Sequence, residues 1–263
     1  MRSNRVKRAL ADGGIALGTM VFEFDTPGIG RIVANSGADF VMFDMEHTGW
    51  STETLKSLFA ACGGTTLVPM ARVPAAQYHL IARTLDVGAM GIMVPMVESE
   101  EQARQIAQSA KYPPVGRRGA AFGVAHDDYT SGDVVEKIRT ANAEGVLIAQ
   151  IETVAGLEQV EGIAAVEGID VLWIGHFDLT NSLGIPADFE HPSYLAAVER
   201  VLRACRQHHK AAGFMVASPE EAVAKLAQGF RCLAYWGDLW IYQQALSSAM
   251  HRIRAEAAAA QPN

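Results

Sequence analysis

The sequence predicts an α/β fold, a single (β/α)8 barrel of parallel strands over residues 1–263. Eight short β-rich runs alternate with longer helical patterns along the whole chain, the signature of strand–helix–strand units in a parallel sheet. No Pro/Ser-rich linker or composition break divides them, so the units belong to one domain. A length of 263 residues suits a closed TIM-type barrel, typically about 250 residues, better than an open doubly wound sheet.

The eight runs, in order, are residues 15–23 (IALGTMVFE), 40–46 (FVMFDME), 66–73 (TLVPMARV), 91–96 (GIMVPM), 145–152 (GVLIAQIE), 171–178 (VLWIGHFD), 211–218 (AAGFMVAS) and 232–238 (CLAYWGD). Helical patterns at 51–64, 99–112, 193–210 and 218–230 lie between or beside them. Several open on Ser or Thr in capping position, and Ser-Pro-Glu-Glu at residues 218–221 is the strongest start signal. Gly or an Ala–Gly pair closes many of them. The longest irregular piece, 112–133, lies between the fourth and fifth strands, where a loop of that length is usually functional or mobile.

Composition narrows the function. A net charge of −7 argues against nucleic acid or an anionic membrane as partner. Cys62, Cys205 and Cys232 are widely spaced and odd in number, which points to a reducing cytoplasm rather than a disulfide framework. The N-terminal stretch has no uninterrupted apolar core and reads as no signal peptide. No apolar run reaches the ~20 residues of a membrane span. The alanine-rich residues 255–263 read as a fraying helix end.

In such a barrel chemistry gathers where the strands end. In the second strand Met42, Asp44 and Glu46 share one face, and placing two carboxylates there is costly unless a cation meets them. His47 follows directly. Arg72 ends the third strand, Gln150 and Glu152 the fifth, Asp178 the sixth, and Trp236 and Asp238 the eighth. None of the six lysines falls at a strand end, and Lys210 precedes the seventh strand, so Schiff-base chemistry is excluded. No G-x-G-x-x-G or P-loop motif occurs, and no His or Cys pair has zinc spacing.

Glu152 and Asp178 suit a hard divalent cation such as Mg²⁺, Mn²⁺ or Co²⁺, with coordination positions left for water and a 2-oxo acid. Arg72 would share charge developing on the keto oxygen. His47 would shuttle a proton near neutral pH. Gly175 would let backbone N–H groups approach the substrate carboxylate.

Together, FDMEH, ARVP, LDVGAMGIMVP, YPPVGRRG, QIET and IGHFDLTNSLG, from about residue 5 to residue 250, resemble the HpcH/HpaI class II aldolases. These include 4-hydroxy-2-oxoheptanedioate and 2-keto-3-deoxy sugar-acid aldolases. The resemblance implies a metal-dependent aldolase cleaving a 4-hydroxy-2-oxo acid to pyruvate, or hydroxypyruvate, and an aldehyde. It implies His47 as catalytic base, Arg72 as transition-state stabiliser, Glu152 and Asp178 as metal ligands, and Gln150 as a substrate contact. The backbone amides of Phe177 and Asp178 would hold the pyruvyl carboxylate. Asp86 resembles the acid that raises the histidine's basicity, acting across a subunit contact. Asp44 would orient His47 or hold a water, and Glu46 would bond waters on the ion. Trimers or hexamers are implied, with the last helix exchanged between neighbours.

The sequence departs from the family in two places. Gly175-His176-Phe177-Asp178 replaces the usual Gly-Pro-x-Asp, and AYWGDLW adds an indole and an acid near the mouth. Both put the acceptor aldehyde in question rather than the metal. His176 is expected to pack under its loop. Trp50 is either a lid residue or packing, and Arg117 and Arg118 either hold a distal carboxylate or are solvated. Competing readings are an acyl-CoA lyase of the malyl- or citramalyl-CoA type and a non-catalytic barrel that binds a 2-oxo acid.

Overall fold

Each of the eight runs forms a strand: β1 (Ala16–Val21), β2 (Phe40–Asp44), β3 (Val68–Arg72), β4 (Gly91–Val94), β5 (Val146–Ile151), β6 (Val171–Ile174), β7 (Ala211–Val216) and β8 (Cys232–Gly237). In the computed structural model, which describes residues 2–260, they pair in parallel and in sequence order, and β8 closes on β1. Met1 and residues 261–263, the end of the expected fraying tail, lie outside the described residues.

The period of two decides which side chains fill the barrel. Met20, Phe40, Met42, Met70, Met93, Ile148 and Trp173 point inward and form the interior cluster. The alternate residues Val21, Val41, Phe43, Ala71, Ile92 and Leu147 pack outward against the helices. Each fully buried Phe, Met or Leu contributes about 1.5–3 kcal/mol over its exposed state. Gly18 is required by the same packing, because an added Cβ would lie 2.5 Å from the Phe40 ring.

The helices are α1 (Arg5–Ala11), α2 (Ile29–Asn35), α3 (Thr52–Ala61), α4 (Tyr78–Asp86), α5 (Glu100–Ala110), α6 (Val134–Glu144), α7 (Val154–Glu158), α8 (Val160–Ala165), α9 (His176–Ser182), α10 (Pro192–Gln207), α11 (Pro219–Gln228) and α12 (Asp238–Ala259). The expected serine caps form: Ser51, Ser99 and Ser218 accept from the amides of Thr54, Gln102 and Glu221. Helix α1 seals the N-terminal end of the barrel. Asn4 caps it and donates to the Met90 and Glu144 carbonyls at 2.9 Å, while Val6 enters the interior cluster.

Two boundaries differ from the sequence reading. Strand β2 stops at Asp44, so Glu46 sits on the turn beyond it. Strand β6 stops at Ile174, and His176–Phe177–Asp178 form the first turn of α9 rather than a strand end. Residues 112–133 are irregular apart from a 3-10 turn at Ala125–Asp127. They are held by a buried ion pair, Lys137 Nζ to Asp127 Oδ2 at 2.6 Å. Burial pushes the Asp127 carboxyl up, but Lys137 and the Gly123 amide outweigh it and leave it below the ordinary value.

Candidate active site

At the C-terminal end of the barrel the inward positions change from apolar to polar. Met42 is followed on its face by Asp44, Met70 by Arg72, and Ile148 by Gln150. Parallel pairing puts Asp44 and Arg72 opposite one another. Arg72 Nε is 2.5 Å from Asp44 Oδ1 and 3.2 Å from Glu46 Oε2. Asp44 is fully buried, and its other oxygen accepts from the His47 amide at 2.9 Å. The two carboxylates therefore fix the guanidinium's edge, and Asp44 also fixes the turn that presents His47. The exposed His47 ring turns Nε2 to within 3.5 Å of Glu46 Oε2.

Across the mouth, Glu152 Oε1 accepts from the Met96 amide at 2.7 Å and Oε2 from the Gln150 side chain. Burial raises the Glu152 carboxyl to about 6. The Gln150 and Met96 hydrogen bonds oppose the shift, and the charges of Glu46 and Asp178 add to it. Burial likewise raises Glu46, with Arg72 opposing and Asp44 and Asp178 adding. Three carboxylates thus feel one another across one opening. The Gln150 side-chain oxygen Oε1 is buried there without a partner among the described residues. Oxygen donors with unrelieved negative charge are the donor set a hard divalent cation takes. No three His, Cys, Asp or Glu side chains among the described residues are gathered closely enough to enclose an ion. Gly175 keeps the wall open: a Cβ there would lie 2.7 Å from Glu152 Cβ and would meet Oε2 as well.

The HpcH/HpaI aldolase/citrate lyase model matches residues 20–238. The chain belongs to that family. It is therefore an aldolase, a carbon–carbon lyase. The 2-keto-3-deoxy-L-rhamnonate aldolase of Klebsiella pneumoniae is 34% identical over 256 residues, covering 97% of this chain and 95% of that protein. The crystal structure of the HpcH/HpaI aldolase from Desulfitobacterium hafniense superposes with a TM-score of 0.91 at 30% identity, covering 98% of each chain. An HpcH/HpaI aldolase/citrate lyase family protein from Burkholderia cenocepacia gives 0.89 at 30% identity, covering 96% of this chain and all of that one.

Within the family's barrel, the structure gathers His47, Arg72, Asp44, Glu46, Gln150 and Glu152 at the mouth, with Asp178 on the first turn of α9 close enough to influence Glu46 and Glu152. Asp86 lies at the end of α4, bound by Arg118 at 2.5 Å. This corrects the reading of Arg118 as a solvated or ligand-holding side chain: it is buried, with its guanidinium 4.6 Å from the Tyr112 ring centre. Asp238 follows directly on β8, at the strand end where the sequence placed it. Its carboxylate accepts from the Phe22, Glu23 and Phe24 amides at 2.8, 3.0 and 2.7 Å, so it clamps the β1–α2 loop. His176 packs as expected, stacked on Phe214 at 4.9 Å, and burial holds its pKa down to about 4. Trp50 packs beside Phe43 at 6.4 Å. Cys62, Cys205 and Cys232 are free, buried thiols.

Two contributors escaped the sequence reading. The Met96 amide reaches Glu152 because Met96 takes φ 52°, a left-handed backbone that no residue pattern announces. Phe22 lies 5.9 Å from the Arg72 guanidinium, and its place just beyond the inward Met20 was the available signal.

Proposed function

We propose that this chain is a divalent-metal-dependent aldolase that cleaves a 4-hydroxy-2-oxo acid to pyruvate, or hydroxypyruvate, and an aldehyde. The 2-keto-3-deoxy sugar acids are the favoured substrate class. The observation that carries the proposal is the arginine held edge-on by Asp44 and Glu46 opposite a buried, charge-stressed Glu152. The name and near-complete overlap of the Klebsiella relative support the substrate class.

Glu152 and Asp178 would hold Mg²⁺, Mn²⁺ or Co²⁺, and the bound ion would supply Lewis-acid stabilisation of negative charge on the keto oxygen. Arg72 commits Nε to the two carboxylates, and its terminal nitrogens take no hydrogen-bond partner among the described residues. They donate to the oxygen on which charge develops. His47 takes the proton from the 4-hydroxyl as the carbon–carbon bond breaks. Asp44 orients it by fixing its backbone. The Gln150 amide contacts the 2-oxo acid, and the amides of Phe177 and Asp178, on the first turn of α9, hold the substrate carboxylate with Gly175 leaving room.

Residues 1–263 form one aldolase domain on this reading, supported by the closure of β8 on β1. A cytoplasmic location is supported by the three free thiols, and no described helix is long and apolar enough to cross a membrane. A homo-trimer or hexamer in which Asp86 serves a neighbour's histidine belongs to the same proposal.

Pyruvate release from 4-hydroxy-2-oxo acids, coupled to lactate dehydrogenase, tests the reading. Chelated enzyme should be silent, Mg²⁺, Mn²⁺ or Co²⁺ should restore turnover, and Glu152→Gln and His47→Ala should abolish it. Wild-type enzyme that binds pyruvate yet releases none with any metal would sink the proposal.

A further inference from the structure

We propose a second binding site, for a small multiply charged anion of the phosphate or phosphate-ester class, at the end of the barrel opposite the mouth. A cavity of ≈ 600 Å³ opens there among α5, α6, the end of α8 and the residues leading into β6 and β7. Lys7, Arg104, Lys111, Arg139 and Lys210 line it against the two carboxylates Glu167 and Asp170. Over the whole chain acidic residues outnumber basic ones, 29 to 22. The excess of cations here reverses that balance locally, which concentrates positive potential in a recess.

Lys7, Arg104 and Arg139 have carboxylate partners, but Lys111 and Lys210 have none among the described residues. Asp170 is bound on one side by Lys7 at 2.5 Å and on the other by the Leu147 amide at 2.9 Å. Lys111 is only 5% exposed and has no carboxylate partner among the described residues. It donates to the Asn142 carbonyl at 2.5 Å, using one of its three N–H bonds. Lys210 bonds only the Val166 and Ile169 carbonyls, at 3.1 and 2.8 Å. Arg104 and Arg139 pair with Glu100 and Glu136 a turn away on their own exposed helix faces. Such pairs are weak and screened, and they yield readily to a better anion.

Carbonyl capping at the helix ends explains one bond from Lys111 and two from Lys210. It does not explain burying an unpaired ammonium beside other cations. Burial lowers Lys111 to about 8, and Lys7 and Arg118 push the same way while Asp170 opposes them. A tetrahedral anion would relieve that repulsion, bridging the remaining ammonium protons and the two guanidinium forks. The inference is independent of the reaction at the mouth.

The test is calorimetric titration of inorganic phosphate and pyrophosphate into the full chain near neutral pH, with ionic strength held by NaCl. Arg139→Gln and Lys111→Met are compared with wild type. Saturable low-millimolar or tighter binding is expected, weakened about 10-fold or more by Lys111→Met and severalfold by Arg139→Gln. Weakening in either folded variant supports the site. Absence of saturable binding, binding reproduced by NaCl alone, or binding unchanged in the folded variants overturns it. If Lys111→Met does not melt cooperatively, the exposed Arg139→Gln variant decides alone.

Discussion

Arg72 meets two carboxylates through one nitrogen, so its remaining donors are aimed without any loss of side-chain freedom at the moment of reaction. A lysine offers a compact charge with no fork and cannot hold Asp44 while also donating to the proposed substrate oxygen. Arg72→Lys should lower kcat about 10²- to 10³-fold, with a smaller change in KM, read in the coupled assay. Gly175 tests the proposed metal wall by space alone. Because its Cβ would strike the base of the Glu152 side chain, Gly175→Ala must displace that carboxylate. The metal concentration for half-maximal activity should rise about 10-fold or more, since repositioning a ligand typically costs that much affinity. The melting temperature of the chelated enzyme should fall as well, because the contact is with the base of a buried side chain and not with its flexible end. At the opposite end, Lys111 loses its proton at about 8 in the folded chain, against 10.5 when unperturbed. Between those values the unfolded chain holds more protons, so this group makes stability rise with pH by on the order of 3 kcal/mol. Lys111→Met should therefore be more stable than wild type near pH 7, and the gap in urea midpoints should narrow by pH 10.

Strands and helices place these residues, and the sequence announces some placements better than others. Alternation made the eight strands legible, because a buried face with period two leaves few other readings of FVMFDME or GVLIAQIE. The same alternation marked Asp44, Arg72, Gln150 and Glu152 as one convergent set. The end of β6 was not legible, since a glycine before His176 permits either a continued strand or a new helix, and only packing on Phe214 decides. Helix α1 was missed because seven residues give too little periodicity. The pairing of Arg118 with Asp86, and of Asp238 with three amides more than 200 residues earlier, belongs to tertiary structure alone. That last contact joins the start of α12 to the loop carrying Phe22, which lies beside Arg72. Asp238→Asn removes the charge from three bonds and should cost about 2 kcal/mol in denaturant unfolding. Amide hydrogen exchange at residues 22–24 should accelerate, with a fall in kcat. Unchanged exchange there would refute the clamp.

The barrel as a whole leaves two apolar surfaces unmatched. Helix α12 runs for 22 residues, yet Asp238 alone among them is buried. Tyr242, Leu246, Met250 and Ile253, spaced four, four and three apart, form an exposed stripe along one face. A groove of ≈ 710 Å³ lies outside β1 and α2, lined by Leu17, Val21, Ile29, Ile32 and Val33. Leu17 and Ile32 are exposed although they occupy positions a flanking helix would cover in a complete barrel. The chain's own α12 enters this groove only with its first turns, through Ile241, Tyr242 and Ala245. A stripe and a groove of matching chemistry on one molecule, which it cannot bring fully together itself, would be satisfied by a second copy, as the proposed homo-oligomer requires. Light scattering after gel filtration should therefore give a multiple of 28.3 kDa. Leu246→Glu with Ile253→Glu should shift the chain towards the monomer mass, because each carboxylate would be buried unpaired at the contact. Far-ultraviolet circular dichroism of the barrel should be retained. A monomeric wild type would leave α12 without its proposed partner. A double variant that stayed oligomeric would show that the stripe is not the contact.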